Sequence, residues 1–123
     1  MLFIAMKIIK HKINGSTVAE LQSDELLITC SQDGLDIMGE LYYEGFDKII
    51  IHSSNITEEF FDLKNGMAGE ILQKFSNYRI KLAIVGDFSG YTKKSIRDFI
   101  RESNNTGHIN FVGTLEEALA LKY

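Results

Sequence analysis

The residues best suited to chemistry lie in short polar breaks. His52-Ser53-Ser54-Asn55 sets an imidazole beside two hydroxyls. Asp87-Phe88-Ser89-Gly90-Tyr91 adds a carboxylate, a hydroxyl and a phenol, and Gly113-Thr114 adds another hydroxyl. A serine hydrolase needs serine, base and orienting acid within hydrogen-bond reach. No Gly-x-Ser-x-Gly elbow fixes a nucleophile here, and no catalytic residue is assigned. His52 and Asp87 read first as loop caps or partners of backbone groups. The alternative is a ligand-binding rim made of His52, Ser53, Asp87, Ser89 and Tyr91.

Gly66-x-x-Gly69 opens a helical pattern, where free backbone N–H groups could hold an anion. It lacks the lysine-serine tail of a P-loop and the third glycine of a dinucleotide fold. The favoured reading is structural: the glycines permit a tight turn and close helix–sheet contact. Lys93, Arg97 and Arg101 recur every four residues, with Lys94 adjacent. Asp98 and Glu102 interrupt this stripe, which points to a solvated, ion-paired helix face rather than a docking surface. His11, His52 and His108 lie far apart, and the single cysteine, Cys30, has no partner at ligand spacing. No metal and no cofactor is expected.

The elements that must carry these residues fit one domain. At 123 residues the chain has the length of a single compact unit. Its apolar share is 45% and its charged share 24%, ordinary for a globular protein. The net charge of −4 and a pI near 5.3 argue against a general nucleic-acid binder, which needs a basic surface. One cysteine forbids an internal disulfide and favours a reducing compartment. No apolar run approaches the roughly 20 residues of a membrane span. Met1-Leu-Phe-Ile-Ala-Met-Lys7 resembles a signal peptide only briefly, because its lysine follows the apolar part. It is read as an extension of the first strand, or as an upstream start before Met6. A cytoplasmic location is expected.

Met6 to Ile13 and Ser16 to Leu21 flank Asn14-Gly15, the strongest short hairpin signal. Leu26-Leu27-Ile28 is left unassigned. A helix is expected from an N-cap at Ser31 to Tyr43, with Leu35, Met38 and Tyr42 as one stripe, Ile37 and Leu41 beside it, and Gly45 as its stop. Asp47 to His52 reads as a strand buried on both faces. Thr57 caps a short turn that places Phe60 and Phe61 in the core. The helix from about Gly66 puts Met67, Ala68, Ile71, Leu72 and Phe75 on one face and feeds the strand Ile80 to Val85. Thr92 is expected to cap a helix with Ile96, Phe99 and Ile100 inward. Ile109 to Val112 is the last strand, and Thr114-Leu-Glu-Glu117 is a capping box before the last helix. The fold class is α/β: an N-terminal antiparallel hairpin continuing into a mostly parallel mixed sheet of about five strands, with helices packed on it.

This hairpin, the strand–helix alternation and the ending Thr114-Leu-Glu-Glu-Ala-Leu119 resemble the STAS domain, the fold of anti-sigma-factor antagonists. In that likeness Ile49 to His52 is the strand before the regulatory turn, and Asp62-Leu-Lys-Asn-Gly66-Met-Ala-Gly69 is the turn and helix start. STAS regulators carry a phosphorylatable serine or threonine just before the glycine, where this chain has Leu63, Lys64 and Asn65. The resemblance therefore implies a missing or relocated phospho-switch. The segments Gly66–Phe75, Asn77–Arg79 and Ala83–Phe88 are more similar still to a small family of bacterial proteins known only as a domain of unknown function.

The functional expectation is a non-enzymatic regulatory or interaction module. It would meet a protein partner, or itself, through Asp62, Lys64, Asn65, Gly66, Gly69 and the adjoining Thr57–Phe61 turn. The alternative is a small-ligand or anion-binding protein, weak enzymatic activity included, that uses the rim around His52 and Asp87.

Overall fold

The computed structural model of the chain describes residues 6–121. The reading of the first residues as a strand extension or an upstream start lies outside the described residues. Strand β1, Lys7–Ile13, returns as β2, Ser16–Gln22, through a turn in which Asn14 and Gly15 both have positive φ, 49° and 84°. That is the backbone a two-residue hairpin requires. The register follows directly, pairing Ile13 with Ser16 and His11 with Val18. Helix α1, Ser31–Tyr43, precedes strand β3, Lys48–His52. Three short 3-10 turns, Ser53–Asn55, Glu58–Phe61 and Leu63–Asn65, lead into α2, Met67–Asn77. Then come β4, Lys81–Val85, α3, Lys94–Thr106, β5, Ile109–Val112, and α4, Leu115–Ala120.

The five strands lie side by side in sequence order, with β1–β2 antiparallel and all later pairs parallel. The expected fold class is observed. Parallel strands connected by helices need cover on both sides. One face packs Ile49, Ile51, Leu82, Ile84 and Phe111 against Ile37, Ile71, Phe75 and Ile96 of α1, α2 and α3. The other packs Val18, Ile50, Ala83 and Val85 under Ala118 of the short α4. Phe60 and Phe61 belong to the larger core, at 1% and 4% exposure.

Three local expectations are corrected. The buried stripe of α1 is Gly34, Ile37, Met38 and Leu41, while Leu35 is half-buried and Tyr42 is exposed. The cause is a close approach at Gly34, where a Cβ would meet Ile71 Cδ1 of α2 at 2.8 Å. This contact turns the Gly34 side of the helix inward. Ser31 is the first helical residue and not the cap; the cap position is Cys30, without a side-chain bond. Asp33 instead reaches back to accept the Thr29 N–H at 2.9 Å. Burial pushes the Asp33 carboxyl up, but its bonds from Thr29 and Cys30 outweigh that and hold it low. Thr92 does not cap α3, which begins at Lys94 after an uncapped Lys93. That end is held by the Lys94–Asp98 pair one turn on and by burial of Ile96.

Leu26-Leu27-Ile28 resolves into a short parallel bridge, Ile28 to Ile56. Buried Asn55 anchors it. Its Nδ2 donates to the carbonyls of Ser23 and Glu25, both at 2.8 Å, and its own carbonyl accepts from Leu27 and Ile28.

Candidate functional site

Residues 57–66 convert a buried aromatic pair into an exposed polar surface. Thr57 accepts the Glu59 N–H at 3.4 Å and starts the 3-10 turn that sends Phe60 and Phe61 into the core. The second turn ends at Gly66, whose φ of 80° is left-handed and favours glycine. Asn65 secures both sides: its Nδ2 donates to the Glu59 carbonyl at 2.7 Å and its Oδ1 accepts the Met67 N–H at 2.9 Å. Asn65 thus caps α2 across Gly66, and the first helical amide is already satisfied. Gly69 has nothing within 4 Å of the place a Cβ would take, so no close helix–sheet contact is made there.

Asp62 and Lys64 line a groove of about 570 Å³ together with Tyr91 from the loop before α3. Phe61, Leu63 and Ile96 supply its apolar surface, and Glu58 and Lys93 stand with the polar residues. The Tyr91 ring stacks on Phe61, with centroids 4.6 Å apart and planes at 27°. Its hydroxyl donates to Glu58 Oε2 at 2.9 Å. Burial first, then the bond and charge of Glu58, push the Tyr91 phenol up to about 12. Tyr91 is therefore a neutral donor and wall at ordinary pH, not a phenolate base.

The proposed rim divides between different surroundings. Ser53 lies against Gly86, where a Cβ would meet Ser53 Oγ at 2.1 Å, so glycine is needed for the ends of β3 and β4 to meet. Asp87 Oδ1 accepts the Ser89 N–H at 3.0 Å, and the Ser89 hydroxyl, then this N–H, hold the exposed carboxyl below its usual range. Ser89 and Tyr91 line a further cavity of about 520 Å³ with Arg97 and Arg101 of α3. His52 is engaged elsewhere: its Nε2 is 3.7 Å from Glu20 Oε2 of β2.

Glu20 is the polar centre that reasoning from sequence missed. It is 3% exposed, yet accepts the Gln22 amide at 3.0 Å and lies 3.0 Å from His11 Nε2. Burial acts to raise its carboxyl, but His11 and Gln22, and then His52, outweigh it and keep the group below the ordinary glutamate range. The signal was present in the hairpin register. Glu20 pairs with Ile9 on β1 and Ile50 on β3, so His11 and His52 are each two residues along on neighbouring strands. Among the described residues no group of three His, Cys, Asp or Glu is arranged to hold a metal ion.

The architecture and these sites define a small α/β domain with a mixed five-stranded sheet. A family model described as a domain of unknown function (DUF4180) matches residues 13–121, and the chain belongs to that family. Among curated proteins there is no match to the chain, and among solved structures there is none. No helix among the described residues is long and apolar enough to cross a membrane.

Proposed function

We propose that the chain is a non-enzymatic, cytoplasmic interaction module of STAS-like type that docks a protein partner through residues 57–69. The observation that carries this reading is the groove in which Asp62 and Lys64 meet Tyr91 over an apolar floor. A half-apolar groove with both signs of charge on its rim suits a short peptide segment better than a reacting substrate. The STAS likeness is supported by the hairpin, the strand–helix alternation and the left-handed Gly66 at the helix start. In that likeness the switch hydroxyl is absent, so docking here is constitutive or controlled by the partner. The small-ligand alternative at the rim has less behind it, since His52 faces Glu20 while Asp87 is tied to Ser89.

The test is site-specific photocrosslinking in the native host. A crosslinker at Lys64 is expected to give a discrete adduct that Asp62→Lys abolishes while the circular dichroism spectrum stays unchanged. A crosslinker at Gln32 on α1 is expected to give none. Equal adducts from both positions, or an adduct indifferent to Asp62→Lys, would place docking elsewhere.

A further inference from the structure

The opposite end of the sheet, where β3 and β4 begin, holds a cavity of about 640 Å³ that the groove reading leaves unused. Pockets for small molecules commonly span roughly 300–1,000 Å³. Val18, Leu119 and Leu121 give it an apolar wall, and Lys48, Arg79 and Lys81 give it three cations. Among the described residues Asp47 is the one carboxylate in the lining, and its Oδ2 accepts the Thr17 N–H at 2.8 Å. Among the described lining residues cations thus outnumber carboxylates, in a chain of net charge −4.

Two details fit an anion there. Lys48 is 4% exposed and donates from Nζ to the Ala118 carbonyl of α4. This ammonium offsets the negative carbonyl end of the helix, which would otherwise repel an anion. Arg79 follows the last turn of α2 with φ of 57°, donating its N–H to the Ser76 carbonyl at 3.1 Å. Ile80 N–H donates to Phe75 at 3.0 Å, closing the helix in the way that usually puts glycine at this left-handed position. An arginine here keeps backbone strain that glycine would relieve, and its side chain lines the cavity.

We propose that this cavity binds a small organic anion, its phosphate or carboxylate head held by Arg79 and Lys81 and its apolar body lying on Val18 and Leu119. Guanidinium geometry matches either head with paired hydrogen bonds. The site is independent of the groove and stands whether or not a partner docks there.

The experiment is an amide NMR titration of the full chain at low ionic strength. The probes are phenyl phosphate, benzoate, inorganic phosphate and benzyl alcohol. Phenyl phosphate or benzoate is expected to shift the amides of Ser16, Arg79 and Leu121, and the tighter of the two assigns the head group. Arg79→Gly is expected to leave the melting temperature unchanged or raised while weakening that probe about tenfold or more, the loss of one charge-assisted contact. Lys81→Gln is expected to weaken it as well. The proposal is overturned if neither aromatic anion shifts these amides, or if benzyl alcohol or inorganic phosphate binds as tightly as they do. Retained affinity in Arg79→Gly overturns it equally.

Discussion

Glu20 Oε1 lies 3.0 Å from His11 Nε2 across the opening hairpin, with the carboxylate almost wholly removed from water. A buried carboxylate survives as an anion only where donors replace its hydration. Here His11 and Gln22 do so, and the folded pKa falls below that of the unfolded chain. A depressed carboxyl stabilises the fold above its unfolded pKa, and that contribution disappears as pH falls through the folded value.

Glu20→Gln is therefore expected to cost about 1.5–3 kcal/mol at pH 7, the range for hydrogen bonds to a charged group. The difference between wild type and variant should shrink as the pH drops below 4.5. Urea unfolding of both proteins across that range measures it. A difference that stays constant with pH would show that the charge on Glu20 is not what stabilises the hairpin.

The hairpin shows how much a sequence discloses. Asn14-Gly15 announces the turn, and the turn fixes the register that sets His11 diagonal to Glu20. The strands and the capping box at Thr114 are equally legible, because alternation and local hydrogen bonds are local properties; Thr114 Oγ1 accepts the Glu117 N–H at 3.1 Å as its spacing implies. What hid was whatever depends on neighbours distant in sequence. The inward face of α1 is set by Gly34 against Ile71, and the groove exists only because the residues 57–66 turn and the residues 90–96 segment are brought together. His52 ends β3 and Asp87 lies two residues past the end of the neighbouring β4, yet the contacts around them send them to different partners.

Asn55 makes a comparable point about polar burial. Its side chain satisfies the Ser23 and Glu25 carbonyls from a 2% exposed position. Asn55→Leu keeps the volume but leaves both carbonyls without these bonds. The expected loss is about 2–4 kcal/mol, from two hydrogen bonds and the cost of unmet acceptors. Chemical unfolding checks the figure, and hydrogen exchange at Leu27 and Ile28 should accelerate with it. A loss under about 0.5 kcal/mol, the range of neutral surface changes, would mean the segment does not depend on Asn55.

His108 titrates against folding. Burial lowers its pKa first, and the Lys81 ammonium, 3.3 Å from Nδ1, lowers it further. The unfolded chain then binds a proton that the fold resists, so stability falls as pH drops below 6.5. This window lies above the one set by Glu20. His108→Gln is expected to flatten the stability profile between about pH 7 and 5 and to leave the lower limb in place. Thermal melts at half-unit pH steps separate the two. An unchanged slope above pH 5 in the variant would assign that limb to another group.

Lys48 acts in the alkaline range, with the same sign. Its pKa is drawn down to about 8 by burial, while the unfolded side chain keeps the value of 10.5. Between those values the unfolded chain holds a proton that the fold has released, so stability rises with pH across the window. Below pH 8 both states are charged, and the fold bears the cost of a buried ammonium, partly offset by the bond from Nζ to the Ala118 carbonyl. Lys48→Met removes that charge while keeping the apolar stem packed between Val18 and α4. The variant is expected to be as stable as wild type or more stable at pH 7, and to lack the alkaline rise. The comparison needs the difference between the two proteins, because tyrosines and other lysines titrate in both. Parallel profiles from pH 7 to 10.5 would show that Lys48 stays charged in the folded chain. In that case water or a neighbouring dipole must solvate it, and the beginning of β3 would be wetter than its 4% exposure implies.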